Sequence, residues 1–257
     1  MDIFSDITMW ILICSVGFAA GFIDAIVGGG GMLSVPTLLA TGLPPHIALG
    51  TNKLAATFGS STASFAYYRK KLFNPVFWRL SIIFTAVGAV LGAIFVNLIS
   101  TQWLEKALPI IVFSTAIYSF FSKNIADNHN PLPENKNCLK RKQITQATTL
   151  GFYDGVAGPG TGAFWTASSN MLYKINILAN LGLARSCNFV SNICALIVFI
   201  SLGQVYLPLG IAMGIFMMLG AWVGAHSAIK FGARFIRPFF ITIVLALSVK
   251  LAYDAWL

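Results

Sequence analysis

The chain has 257 residues, of which 57% are hydrophobic and only 10% are charged, and its mean hydropathy is +0.78. Soluble domains carry about 25% charged residues, so this composition excludes an ordinary soluble domain and predicts an all-α polytopic membrane protein. The net charge of +9 does not indicate a nucleic-acid partner, because basic residues collect in the cytoplasmic loops of membrane proteins. The four cysteines have no metal or disulfide spacing, and we expect neither a metal nor a cofactor.

The first apolar segment, residues 7–27, runs into a block of four glycines. Glycine costs about 1 kcal/mol per position in a helix interior, so a run of them predicts that one helix ends and another begins. The second helix starts near Met32 and spans residues 32–41, about half of the roughly 20 residues that a membrane span requires. Broken helices at membrane depth are tolerated where the freed backbone faces protein or a wet cavity. The glycines of this candidate site are Gly28, Gly29, Gly30 and Gly31.

The rest of the first half contains three more segments. Residues 47–68 form a span of unusual polarity, and residues 75–100 form a span with a small-residue face for close helix packing, made by Gly88 and Gly92. We predict a short loop containing Glu105 and Lys106, followed by a segment at residues 108–121.

The second half repeats the first. The motif GFIDAIVGGGGMLSVP at residues 21–36 matches GFYDGVAGPGTGAFW at residues 151–165 with an offset of 130, which aligns Asp24 with Asp154. Further along the offset becomes 132, which aligns Lys53 with Arg185. A short piece at residues 167–173 and spans at 177–202, 207–229 and 239–256 follow. Two matched glycine breaks are a stronger signal than one, and they predict a duplicated structure.

The distribution of basic residues predicts the topology. Residues 1–122 form a first repeat, residues 123–142 a polar cytoplasmic linker, and residues 143–257 a second repeat. The basic loops at residues 69–71 and 230–237 are expected inside, which leaves both termini outside. An odd number of crossings then separates the copies, so the repeats are inverted. Each comprises a Gly-broken helical hairpin and three transmembrane helices, giving about 8–10 membrane segments, an arrangement typical of secondary transporters.

The glycine breaks are candidate anion sites. A helix N-terminus carries roughly half a positive charge and several free N–H groups, and the breaks are expected to free such groups near residues 32–34 and 162–163. The second break supplies Gly158, Gly160 and Gly162. The alternative is that these glycines only permit tight helix crossing.

Charged residues inside the spans add to the anion argument. Lys53 and Arg185 lie several residues into their segments, where charges usually mark a pathway or a buried pair. Either they contact the substrate anion, or they reach the interface or pair with Asp24 and Asp154. The two carboxylates are either proton carriers or structural partners.

Three amides belong to the same candidate site. Asn52, Asn188 and Asn192 lie in the polar segments beside Lys53 and Arg185. They either hydrogen-bond an oxyanion or tie neighbouring helices together.

The two glycine breaks, with ALGTNKLAATFGS after the first and GLARSCNFVSN after the second, resemble the sulfite exporter TauE/SafE family. The resemblance covers both halves and implies a multi-pass transporter of the bacterial inner membrane that carries sulfite, sulfonates or related small anions. It also implies that the glycine breaks, Asn52, Lys53 and residues 185–192 line the site. Two departures are Pro159 in the second break and Arg185 in place of a lysine, which leave the particular substrate open.

The expected mechanism is alternating access, in which one repeat rocks against the other. Three rivals remain: a passive anion channel or a carrier of another small anion, an assembly protein, and a membrane enzyme. The enzyme is disfavoured because three scattered histidines and two membrane carboxylates form no catalytic constellation. The expected partners are a small anion, the lipid bilayer and, through the glycine faces, a second copy in a homodimer.

Overall fold

The computed structural model describes residues 7–121, 131–133 and 138–231, and within these ranges the chain forms only helices and connecting turns. The predicted last span, residues 239–256, lies outside the described residues. Residues 232–237 of the predicted basic loop also lie outside them. The helices in chain order are α1 (Ile7–Ile26), α2 (Gly31–Ala40), α3 (Pro45–Arg69), α4 (Arg79–Val96), α5 (Thr101–Phe121), α6 (Leu139–Val156), α7 (Thr161–Tyr173), α8 (Ile177–Ser201) and α9 (Leu207–Phe231).

Four of the described helices, α1, α4, α8 and α9, are long and apolar enough to cross a membrane. The prediction of an all-α polytopic membrane protein is therefore confirmed for the part of the chain that the structure describes. Helix α3 is also 25 residues long, but polar residues lower its hydropathy. Three of them, Thr51, Asn52 and Lys53, lie in the interior of the bundle and are at most 2% exposed.

Both glycine breaks fall where the sequence predicts them. Helix α1 ends at Ile26 and α2 begins at Gly31, while α6 ends at Val156 and α7 begins at Thr161. The connecting residues take backbone conformations that other residues rarely adopt. The positive φ angles are 81° at Gly28, 133° at Gly29, 88° at Gly158 and 80° at Gly160.

The segment around Glu105 and Lys106 is a helix, so the prediction of a loop there was wrong. Helix α5 begins at Thr101, and the turn lies at residues 97–100. Leu104 and Leu108, four residues apart, are buried on one face, while Glu105 and Lys106 are exposed. An amphipathic helix with its charges on the outer face therefore replaces the predicted loop.

The predicted linker also ends earlier than expected. Helix α6 begins at Leu139, so the basic residues 140–142 belong to its first turn. Buried Gln143 and Gln146 continue the same helix into the bundle.

Helices α1 and α9 approach closely through glycines on both. Their contact pairs are Gly17 with Met213, Gly21 with Met217, Gly220 with Phe18, and Gly224 with Phe22. A β-carbon on any of these glycines would collide with backbone atoms of the opposite helix. Residue numbers rise together along the contact, so the two helices run in the same direction.

Helices α4 and α6 repeat this packing. Here the pairs are Gly88 with Thr148, Gly92 with Phe152, Gly151 with Thr85, and Gly155 with Ala89. These two helices also run in the same direction. Since the Gly88/Gly92 and Gly220/Gly224 faces are covered within the chain, they are not free to join two copies. The homodimer stays a prediction.

Helices α3 and α8 cross at the centre of the bundle in opposite directions. Gly50 lies against Phe199, Lys53 contacts Asn192, and the Ser64 hydroxyl lies 2.9 Å from that of Ser186. Residue numbers therefore rise on one helix as they fall on the other. At this crossing the buried cations Lys53 and Arg185 each lie beside a glycine break.

Candidate functional site

Lys53 of α3 reaches the second glycine break. Its ammonium lies 2.9 Å from Oδ1 of Asp154, donates to the Asp154 carbonyl at 2.5 Å, and donates to Oδ1 of Asn192 at 3.3 Å. Lys53 and Asp154 are each 1% exposed. An ammonium has three N–H donors, so these three acceptors match all of them.

Asp154 accepts further hydrogen bonds. The hydroxyl of Thr161, the first residue of α7, donates to Oδ1 at 3.1 Å, and the hydroxyl of Ser191 on α8 donates to Oδ2. The carboxylate therefore joins α3, α6, α7 and α8. Buried charges are stable when they are paired and hydrogen-bonded in this way.

Arg185 of α8 reaches the first glycine break in the corresponding manner. Its Nη1 donates to the Asp24 carbonyl at 2.5 Å and lies 3.3 Å from Oδ1 of Asp24. That carboxylate also accepts from the backbone N–H groups of Gly29 at 3.1 Å and Gly30 at 3.2 Å, and from the amide of Asn188 at 3.3 Å. Asp24 thus stabilises the bend after α1.

Two nitrogens of the Arg185 guanidinium have no acceptor among the described residues. The residue is fully buried, yet its Nε and Nη2 atoms have no hydrogen-bond partner among the described residues. The two glycine breaks meet at this point, and the guanidinium occupies the space that a β-carbon on Gly28 or Gly162 would fill. Leaving a buried donor unpaired costs about 1–3 kcal/mol, more for a charged group, so a ligand that accepted from these two nitrogens would stabilise the site.

The backbone N–H groups at the two breaks differ in whether they have a hydrogen-bond acceptor. At the first break, the N–H of Met32 bonds to the Gly29 carbonyl at 2.9 Å, and those of Leu33 and Ser34 bond to the Gly30 carbonyl at 3.0 Å. The expectation that these three N–H groups are free was wrong, because a tight turn forms at the start of α2.

The start of α7 is more open. The Thr161 N–H bonds to the Gly158 carbonyl at 3.2 Å, but we find no backbone acceptor within the described ranges for the N–H groups of Gly162 and Ala163. Gly162 also lies against the Arg185 guanidinium. A helix N-terminus and a buried cation therefore meet at one place, as an anion site requires.

The other predicted residues surround these ion pairs. Asn52 accepts a hydrogen bond from the Ser34 hydroxyl at 2.5 Å, which ties α3 to α2. A β-carbon on Gly158 would lie 3.0 Å from Lys53 Nζ, and one on Gly160 would lie 2.7 Å from Cε of Met32. Asn52 and Asn192 thus connect helices.

The sequence interpretation assigned no side-chain role to three hydroxyl residues of the site, although two of them lie within the ranges 32–34 and 185–192 that it placed there. Ser34, Thr161 and Ser191 each hydrogen-bond a predicted residue. The available signal was a hydroxyl beside each glycine break, at Ser34 and Thr161, and one next to Asn192 in an otherwise apolar segment.

Comparison with known proteins agrees with this architecture. The family described as "Sulfite exporter TauE/SafE" matches residues 13–251. A protein of Sinorhizobium sp., named probable membrane transporter protein ORF9, is 36% identical over 92% of this chain and 90% of its own length. A probable membrane transporter protein of Haemophilus influenzae is 34% identical over 99% and 98%. The Arabidopsis thaliana sulfite exporter TauE/SafE family protein 3 is 30% identical over 42% and 23%.

The helical bundle, its buried ion pairs and these similarities define a polytopic membrane transporter and not an enzyme. Within that class, the chain belongs to the sulfite exporter TauE/SafE family. The resemblance noted from the two glycine motifs is thereby confirmed.

Proposed function

We propose that this protein is a secondary carrier that moves a small sulfur oxyanion, sulfite or a sulfonate, across the bacterial inner membrane by alternating access. The observation that carries the proposal is the fully buried Arg185 guanidinium, whose Nε and Nη2 donors have no partner among the described residues. The name of the family favours export as the direction of transport.

The chemistry of Arg185 suits an oxyanion. A guanidinium is planar and permanently charged, and its fork of N–H donors matches two oxygens of one anion. Nη1 is held by Asp24, which leaves Nε and Nη2 for the ligand. The N-terminus of α7 adds donors at Gly162 and Ala163. We therefore assign Arg185 and Gly162 to the anion and Lys53 to the ion pair that holds the second break.

The directions of the helices support an inverted repeat. By the alignment, α3 corresponds to α8, α1 to α6, and α4 to α9. The corresponding helices α3 and α8 run in opposite directions where they cross, as inverted copies do. Parallel packing of α1 with α9 and of α4 with α6 fits the same relation. We propose that residues 1–122 and 139–257 are inverted repeats joined by a cytoplasmic linker, so that the second repeat begins with α6.

This topology can be tested by cysteine labelling. Cys138 precedes α6 on the proposed cytoplasmic side, and Ser201 ends α8 on the opposite side; both are exposed. In right-side-out vesicles, a membrane-impermeant maleimide should label Ser201→Cys in a Cys138→Ser background and spare Cys138 in the wild type. Equal labelling of both positions, or the reverse pattern, would contradict the topology.

The packing of the helices supports a particular mode of motion. Because α1 packs on α9 and α4 packs on α6 through glycines, each close-packed unit combines helices from both halves. In the proposed transition these mixed pairs move as bodies around the α3–α8 crossing. Such a motion would expose Arg185 to each side in turn.

The central experiment measures anion binding and transport by purified protein. We expect sulfite or a sulfonate, but not chloride or a carboxylate, to raise the melting temperature of the wild type. Proteoliposomes should show saturable flux and counterflow of the same anion, whereas a passive channel would show no counterflow. If no sulfur anion raises the melting temperature or is transported, the proposed substrate class is wrong.

The site assignment is tested with Arg185→Lys. This change keeps a positive charge opposite Asp24 but removes the fork of free donors, so we expect anion affinity to fall about 30-fold or more, on the basis of roughly 1–3 kcal/mol per lost charged hydrogen bond. Arg79→Lys makes the same chemical change at an exposed position in α4 and should leave affinity unchanged. Unchanged affinity in folded Arg185→Lys would refute the assignment of Arg185.

A further inference from the structure

A second basic feature lies outside the central site, at the ends of α3 and α9. A surface groove of about 360 Å³ opens there. Five of its lining residues carry the argument: Phe65, Arg69 and Lys70 at the end of α3, and Trp222 and His226 on α9. We name it the basic groove. None of its described lining residues is acidic.

The side chains of the basic groove form one guanidinium–aromatic pair and one imidazole–indole pair. The Arg69 guanidinium lies 5.8 Å from the centre of the Phe65 ring, and the His226 ring lies 4.8 Å from the Trp222 ring. The Nδ1 atom of His226 donates to the Trp222 carbonyl at 2.7 Å, which fixes the orientation of the imidazole. Both pairs span four residues, or one helical turn.

The two pairs are aligned in depth. Helices α3 and α9 run in the same direction, since Leu54 contacts Gly210 and Phe58 contacts Gly214. Phe65 and Trp222 therefore lie one turn, or about 6 Å, nearer the middle of their helices than Arg69 and His226. In a membrane this order places aromatic side chains beside acyl chains and basic side chains among headgroups.

From this arrangement we propose that the basic groove binds the phosphate of an anionic phospholipid. Arg69 and Lys70 would hold the phosphate oxygens, and the glycerol and acyl chains would lie on Phe65 and Trp222, which are 61% and 59% exposed. A free phosphate shares the headgroup chemistry but makes no use of these two exposed aromatic side chains. The amphipathic surface therefore favours the lipid over the soluble anion.

The proposal is tested in detergent with added phosphatidylglycerol, phosphatidylcholine or inorganic phosphate. We expect phosphatidylglycerol to raise the melting temperature by about 3 °C or more, while phosphatidylcholine does not. The double variant Arg69→Gln/Lys70→Gln should lose about 30-fold in phosphatidylglycerol affinity, at about fivefold per surface cation. Arg79→Gln, which removes a charge from exposed α4 outside the groove, is the matched control.

Each outcome has a definite meaning. Stabilisation by phosphatidylglycerol that is weakened in the double variant and kept in Arg79→Gln supports the basic groove as a lipid site. Equal stabilisation of wild type and double variant would overturn it, because the lipid would then act elsewhere. Equal stabilisation by inorganic phosphate would overturn the lipid assignment in favour of a soluble anion. Folding of the double variant is checked at the central site. If sulfur anions raise the melting temperature of the wild type, they should do the same for the double variant. If they do not, the double variant should match the wild-type melting temperature without lipid.

Discussion

The two buried ion pairs occupy matching places in the chain but differ in how fully their cations are satisfied. Lys53 has an acceptor for each of its three N–H donors, two of them from Asp154. Arg185 binds Asp24 with one nitrogen and leaves Nε and Nη2 without partners among the described residues. The two matching sequence positions therefore differ in their contacts. Lys53 uses all its donors to connect helices, whereas Arg185 keeps two nitrogens that have no partner among the described residues.

The carboxylates differ in the complementary way. Asp154 interacts mainly with side chains, those of Lys53, Thr161 and Ser191. Asp24 instead divides its contacts between the backbone N–H groups of Gly29 and Gly30 and the side chains of Asn188 and Arg185. The first break thus uses its own N–H groups to hold Asp24, while the second break leaves the N-terminus of α7 open next to Arg185. We propose that the anion binds beside Arg185 and the N-terminus of α7.

The largest expected effect separates the two carboxylates. Asp154→Asn leaves the buried Lys53 without an opposite charge and replaces one acceptor oxygen with an NH₂ group that faces other donors. We therefore expect it to destabilise the protein by about 3–5 kcal/mol. Asp24→Asn also leaves the buried Arg185 without an opposite charge, but it should cost less, about 3 kcal/mol at the lower end of that range. The remaining amide oxygen still accepts from Gly29 and Gly30, and the main-chain carbonyl of residue 24 still accepts from Nη1. Chemical unfolding in detergent measures both values. Equal losses would show that the two pairs do not differ in the proposed sense.

The next effect separates the two glycine breaks. A β-carbon in Gly162→Ala would lie 2.6 Å from Nη1 of Arg185 and 2.7 Å from Cα of Gly28. Overpacking of this kind costs about 1–3 kcal/mol of stability. Because the added β-carbon displaces the Arg185 guanidinium from its position, we also expect anion affinity to fall about 30-fold, which is roughly 2 kcal/mol. In Gly31→Ala the nearest contact, Cα of Pro159 at 3.3 Å, can be relieved by a small shift. Binding titrations should show at most a twofold change for that control.

The smallest effect concerns the third acceptor of Lys53. Asn192→Ala removes a hydrogen bond of 3.3 Å and should lower stability by about 1 kcal/mol. Anion affinity should stay within twofold of the wild type, because the Arg185 donors are untouched. A larger loss of affinity than of stability would move Asn192, and with it Lys53, into the anion site. The matched comparison is Ser201→Ala, which removes an exposed hydroxyl at the end of α8.

Much of this architecture follows from local sequence signals. Four glycines cannot continue a helix, so the break before α2 was predictable, and the same spacing located the break before α7. The alignment also identified Lys53 and Arg185 as equivalent positions. It could not say that each cation pairs across the chain, Lys53 with Asp154 and Arg185 with Asp24. Correspondence in a repeat states which residues are alike, whereas contact depends on how the copies pack.

Other features depended on tertiary packing in the same way. The charges of Glu105 and Lys106 suggested a loop, but Leu104 and Leu108 bury the opposite face of a helix. The N–H groups at the start of α2 seemed available from the glycine run alone. Only the structure reveals that the carbonyls of Gly29 and Gly30 accept from the N–H groups of residues 32–34.

The pairing of α1 with α9 has a consequence for the order of assembly. About 180 residues separate the end of α1 from the start of α9, whereas α6 begins about 40 residues after α4 ends. At roughly 5–20 residues per second of synthesis, α9 is made on the order of 10–35 s after α1. By the same rate, α6 is made only a few seconds after α4. The α4–α6 contact can therefore form during synthesis well before the α1–α9 contact.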